Sequence, residues 1–503
     1  LATGCDEPAR DPQAPAAAAP QSKPAVGREA YVTKLTEGLA ARPVAPRYFA
    51  ARSFGFTRDR SFCPLLIEVY DREEDQGVHQ QIIAALGQLG GPEALAFLKK
   101  LAKNPQGYVR GAAFKAIGQL RDPSIKEFAE AALKHPNIQI RNDAVDGLGS
   151  WGSPEAVPIF RLAFQDALPK ARIKVLESIG AMPEEAQVEL FVAGLKDESP
   201  LVRARAAELY SQKPGRDPKP LHAVVSDASD KAGVAALEAL GRLKDPTGAA
   251  PIVAHYPKAT QSWRETAATV LGQLGNPDAV PILRDAAKEQ PFALRGNAYL
   301  ALARLKDTAS MELLRNAVQN KEEEPYARHK AAVGLFLMGE TTVLSSLGES
   351  IKNKDLLVRA NAVYTMGDLQ DPALLPLYST ALEDVEARVR EEATKAIARY
   401  PAEQAIPLLD KATKDVTREV RCVALDGLAA FAGDATTAII HRVCTKDSES
   451  EVRRYALGKL IERPGPQLID ALTVNAAEPE TRLKFEAIGH WIRVQGQAPA
   501  PTR

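Results

Sequence analysis

One residue type recurs at a spacing that could do chemistry. Arginines stand at Arg110, Arg141, Arg172, Arg203, Arg264, Arg295, Arg328, Arg359, Arg390, Arg421, Arg453 and Arg482. Most successive gaps are 31 residues, and the one gap of 61 holds Lys231-Ala232-Gly233-Val234 where an arginine is missing. A series of guanidinium groups can grip phosphates, or it can tie up carboxylates and main-chain carbonyls. The second job is favoured, because an acidic residue stands six places earlier in Asp166/Arg172, Asp197/Arg203, Asp384/Arg390, Asp415/Arg421 and Asp447/Arg453. Overall charge points the same way. Lys+Arg and Asp+Glu number 64 each. A nucleic-acid binder that relies on phosphate neutralisation needs surplus cations on one face, so no nucleic-acid partner is expected.

Other reactive types are scattered. The seven histidines are His79, His135, His222, His255, His329, His441 and His490, with no metal-ligand spacing, and are expected at the surface or in turns. There is no phosphate loop, nucleophile elbow or triad pattern. The expectation is no catalytic residue, no metal, no cofactor, and a chain that is not an enzyme. Trp263, just before Arg264, reads as core, and Trp491 in the last helix reads as a cap on the stack. Trp151, read as lying in a loop Gly149–Gly152, is the tryptophan expected to be exposed and so to point to an interface. Four cysteines exclude a disulfide scaffold. Cys422 and Cys444 each lie 11 residues from Gly433. A bond between them is conceivable in an oxidising compartment, but Cys422 is expected to point outward and Cys444 into the core.

The elements that carry these residues repeat as well. Val109-Arg110-Gly111-Ala112-Ala113-Phe114-Lys115-Ala116-Ile117-Gly118 parallels Ile140-Arg141-Asn142-Asp143-Ala144-Val145-Asp146-Gly147-Leu148-Gly149. Apolar residues three and four apart predict an amphipathic helix. A turn such as Gly275-Asn276-Pro277-Asp278 stops it, with glycine as C-cap and proline opening the next helix. Each unit is therefore a helical hairpin that cannot bury its apolar face alone. Length by itself, 503 residues, would suggest three domains. The repeat instead predicts one all-α solenoid, a superhelix of about fifteen hairpins with a period near 31 residues.

This consensus resembles the HEAT repeat, in the short variant first named for phycobilisome lyases, over residues 28–494. The resemblance implies a ladder in which the Asp and Arg residues above bind between neighbouring repeats. It also implies a scaffold or adaptor more often than an enzyme. Deoxyhypusine hydroxylases of this fold bind two irons through His-Glu pairs, and no histidine here is followed by Glu. HEAT-like alkylpurine glycosylases need a cationic concave face with tryptophans. Bilin lyases share the repeat but no catalytic residue that can be matched, and a cytoplasmic lyase or accessory subunit remains the alternative reading.

The start, Leu1-Ala2-Thr3-Gly4-Cys5, resembles the lipobox of bacterial lipoproteins, with Leu one place further from the cysteine than usual. It implies lipid attachment at Cys5, membrane anchoring, and a bacterial envelope location facing the periplasm or the exterior. Residues 1–27, rich in Pro and Ala, read as a tether, and 495–503 as a disordered tail. The expected function is a membrane-anchored, non-enzymatic scaffold for one or more protein partners. Residues one and five past the recurring arginine sample one long curved face: Asn142, Asp146, Glu177, Glu265, Tyr364, Glu391, Lys395 and Asp426.

Overall fold

The computed structural model describes residues 27–497, except residue 480. Cys5 and the rest of residues 1–26 lie outside the described residues, as do 498–503. The described residues form thirty α-helices, from Arg28–Leu39 to Thr481–Gln497, and no strand. They pair in order into fifteen antiparallel hairpins. The last helix reaches three residues past the body boundary expected at 494.

Local chemistry explains each hairpin. Helix Gln261–Leu274 ends at Gly275, whose φ of 72° lies in the left-handed region that a glycine adopts without a Cβ clash. Asn276 then accepts a hydrogen bond from the Asp278 main-chain N–H, and Pro277 opens a tight turn into helix Val280–Ala286. Helix Ile138–Trp151 shows where the sequence reading of a turn fails. It runs on through Gly149 and Ser150 and stops only at Gly152, φ 67°. Trp151 is therefore helical and buried, 6% exposed, and offers no interface.

The second helix of every hairpin packs against the second helices before and after it, forming an inner layer, and the first helices lie outside. Small residues set the inner spacing. A Cβ added at Gly272 would fall on Ala301, and one at Gly118 would collide with the Gly147 carbonyl oxygen. Residues eight past the arginine thus nest on residues six past the next one.

The same contact closes the chain on itself. The last inner helix, Thr481–Gln497, packs against the first, Val44–Thr57. Gly489 rests on the Ser53 carbonyl, the position six past Arg47, as Gly149 rests on Ser178. Around it His490 stacks on Phe56 with ring centroids 4.6 Å apart, and Trp491 meets Tyr31 edge-on at 4.7 Å. Trp491 does cover an end of the stack, but that end is the other terminus of the same chain. Fifteen hairpins thus make fifteen junctions, and the superhelix is a closed ring. At about 9 Å between neighbouring helix axes, the inner layer is a loop roughly 135 Å around.

Candidate functional site: a charge ladder and the concave face

Most of the recurring arginines bind in two directions. In the arginine's own unit, Nη1 donates to the main-chain carbonyl six residues back: Arg172 to Asp166, Arg203 to Asp197, Arg390 to Asp384 and Arg421 to Asp415, each at 2.8 Å, and Arg453 to Asp447 at 2.7 Å. The rest of the guanidinium reaches the carboxylate of the next unit. Arg172 holds both oxygens of Asp197 at 2.7 Å, and Arg390 holds Asp415 at 2.6 and 2.8 Å. Arg141 pairs with Asp166, Arg203 with Asp227, Arg359 with Asp384, Arg421 with Asp447 and Arg453 with Glu478. The sequence neighbours Asp166 and Arg172 therefore meet through backbone, while their side chains belong to different junctions. Each aspartate also accepts the N–H two residues on, as Asp415 does from Thr417 at 2.7 Å. It fixes the turn that presents it.

Irregular units keep the same geometry by other means. Gly233 replaces the arginine, and the Trp263 indole occupies the vacated space, donating to the Val225 carbonyl at 3.2 Å. Arg110 lacks a carboxylate because His135 stands at the matching place, 25 residues on, and its Nε and Nη2 are buried without partners. Arg328 faces Asn353 at its matching place and reaches only carbonyls.

Burial alone would push the ladder carboxylates up. In Asp166, Asp227 and Asp415 the hydrogen bonds from the paired arginine and the turn N–H, with the guanidinium charge, outweigh it, and the pKa falls below the ordinary 3.8. Their stabilisation is complete above the unfolded-state pKa, about 3.9, and disappears as pH falls through the lower folded values. The melting temperature should be insensitive to ladder protonation down to about pH 5 and drop steeply below about pH 4. A thermal-denaturation series across that range checks this. A melting temperature unchanged well below pH 4 would contradict it.

The inner layer carries a concave cavity of about 1130 Å³. Six consecutive inner helices line it: Asp230–Leu243, Gln261–Leu274, Phe292–Arg304, Pro325–Leu337, Leu356–Met366 and Ala387–Ile397, with the turns that follow them. Of the eight residues expected on one curved face, Glu265 and Tyr364 line this cavity, and Tyr364 is 65% exposed. The others are mostly engaged in ion pairs, between neighbouring inner helices or within one helix. Asp146 pairs with Lys174, Glu177 with Arg205, Glu391 with Lys395 and Asp426 with Lys459. Asn142 is half-buried. Sequence reading missed Arg304, Asp368 and Arg399, which also line the cavity. All three stand nine places past a recurring arginine, and that position carried the signal.

Within the cavity Asp368 binds Arg399 at 2.5 Å. Behind it, Lys330 donates to Asn297 at 2.5 Å and lies 4.4 Å from the Tyr326 ring centroid. Burial, aided by the charge of Arg304, depresses its pKa to about 8. Burial likewise lowers Arg304.

The histidines do not follow the surface expectation throughout. His329 is buried in helix Pro325–Leu337, where burial drives its pKa to about 3. Cys63, Cys422 and Cys444 are free thiols, and Cys444 is buried with its pKa pushed up to about 12. Among the described residues no helix is long and apolar enough to cross a membrane.

A family model for HEAT repeats matches residues 32–118, 100–167, 125–211, 218–295, 257–335, 320–398 and 344–428. Two relatives are deoxyhypusine hydroxylases. The Drosophila melanogaster protein is 22% identical over 169 residues, 28% of this chain and 56% of that protein. The Danio rerio protein is 27% identical over 206 residues, 35% and 63% respectively. The chain thus spans less than two thirds of either hydroxylase. Among solved structures, Kap121p bound to Pho4p covers 88% of this chain and 58% of its own, with TM-score 0.46 and 14% identity. Human deoxyhypusine hydroxylase with glycerol covers 56% and 96%, with TM-score 0.24 and 19% identity.

The hydroxylase matches correct the expectation of a chain that is not an enzyme, since these relatives are enzymes. The residues present do not fit a di-iron centre of that kind. No His-Glu pair exists. Among the described residues no three His, Cys, Asp or Glu side chains converge to hold a metal. Family matches that run from residue 32 to 428, with an all-helical ladder-bonded architecture, make this chain a member of the HEAT-repeat family.

Proposed function

We propose that the ring is a protein-binding scaffold that receives its partner on the concave inner layer. The observation that carries this reading is the cavity of about 1130 Å³ spread over six consecutive inner helices. A surface built from many equivalent helices suits a long contact with another chain better than a small-molecule pocket does. The exposed Tyr364 in that cavity is the kind of side chain that anchors protein interfaces. The lipobox-like Leu1–Cys5 supports the further reading that a lipid on Cys5 tethers the scaffold to a bacterial envelope, with the Pro- and Ala-rich segment as spacer.

Two experiments test the two halves. A photo-crosslinking amino acid at Tyr364 should give a discrete adduct with one protein in the native cells, and the same group at the outer-layer Leu162 should not. Equal adducts from both positions, or none from Tyr364, would contradict the concave-face reading. Palmitate labelling of the full-length precursor should be lost in Cys5→Ser, with release from the membrane fraction. An unlabelled wild type would remove the anchor.

A further inference from the structure

We infer that the concave cavity binds an acidic peptide segment of the partner, with Arg304 as its central carboxylate receptor. The inference rests on the scaffold reading and names the chemistry of its site.

The ladder shows how this chain treats a structural arginine. Arg172, Arg203, Arg390, Arg421 and Arg453 each receive a carboxylate and a turn carbonyl. Arg304 receives neither. It ends helix Phe292–Arg304, lines the cavity, is half-buried, and makes no hydrogen bond or ion pair with any described residue. Beside it Lys330 has the neutral Asn297 and the Tyr326 ring, but no carboxylate, for its ammonium. Two desolvated cations therefore lie within each other's field, and the carboxylate that Arg304 feels, Asp368, is already bound to Arg399. Such an arrangement is unfavourable until an anion arrives.

The acidic groups nearby do not fill that role. Asp368 is held by Arg399, and Glu265 accepts from Gln261 at 2.9 Å. Glu238 lies towards one end, on helix Asp230–Leu243, which also brings Arg242 and the following Lys244 to the cavity. Arg242 donates to the Ser211 hydroxyl and to no carboxylate.

The extent of the cavity selects a peptide over a lone ion. Six helices at about 9 Å spacing make a trough on the order of 45 Å long, which an extended chain of about thirteen residues would span. Tyr326 and the exposed Tyr364 line it.

The test uses the full chain and a fluorescein-labelled oligoglutamate of about thirteen residues, with oligolysine and a single-stranded oligouridylate of equal length as comparisons. Fluorescence anisotropy should show oligoglutamate binding that weakens with salt. Oligolysine should not bind. Arg304→Gln should lower the affinity about tenfold, and Tyr364→Ala should lower it less. Arg304→Gln should also keep or raise the melting temperature, because it removes an unmatched, half-buried charge. Equal affinity in Arg304→Gln would overturn the proposal, as would a preference for oligolysine or oligouridylate. Loss of folding in Arg304→Gln would overturn it too, by making Arg304 structural. The crosslink at Tyr364 separates this from the scaffold reading. An adduct with no oligoglutamate binding leaves the scaffold and removes the acidic ligand, whereas oligoglutamate binding with no adduct does the reverse.

Discussion

Arg390→Ala will lower the urea midpoint of unfolding by an amount equivalent to about 3–5 kcal/mol, the usual effect of breaking a buried charge pair by removing one partner. The pair is almost closed to solvent, with Arg390 9% and Asp415 10% exposed. Its loss strands the Asp415 carboxylate and also uncaps the carbonyls of Asp384 and Val385. Arg390→Lys should recover little, since one ammonium cannot replace a fork that serves a carboxylate and two carbonyls. Arg161→Ala is the control. Its pair with Glu189 is half-exposed and spans the outer layer, so little or no shift of the midpoint is expected. If both substitutions shift the midpoint equally, the ladder is not what holds neighbouring hairpins.

Gly489→Leu will open the ring. A side chain there must displace the Ser53 backbone, which the rest of helix Val44–Thr57 holds in place. Overpacking of that kind costs about 1–3 kcal/mol. The closing junction is the cheapest place to relieve it, because each other hairpin keeps both its neighbours when that junction parts. Helical content should change little while the radius of gyration in small-angle scattering rises. The same change at Gly458, where an added Cβ meets nothing within 4 Å, should leave the shape as it is. An unchanged scattering curve for Gly489→Leu would mean that the termini are not joined by this contact.

The hairpins and their number were legible because period, apolar spacing and turn chemistry agree. The arginines were legible as structural, but not their partners. The residue six back supplies a carbonyl and the residue 24 to 26 on supplies the carboxylate, and only folding distinguishes the two. Trp151 was misplaced because Gly149 looks like a helix stop and is in fact the small residue that nests on Ser178. Closure was hidden for a different reason. Ala487-Ile488-Gly489 repeats Ala116-Ile117-Gly118, so the docking surface was visible. That its receiver would be residue 53 rather than a sixteenth hairpin depends on curvature summed over all fifteen units, which no single repeat encodes. The concave face was half legible. Of positions one and five past the arginine, most are spent on ion pairs, and Arg304 and Arg399, which line the cavity, lie nine past.

The closed ring is tested most directly by one distance. Spin labels at Val44→Cys and Lys484→Cys, in a chain with Cys5 and Cys422 replaced by Ser, sit on the first and last inner helices. Double electron–electron resonance should give a single narrow distribution at the separation of adjacent helices. A broad distribution several times longer, as an open superhelix of fifteen hairpins requires, would contradict the account.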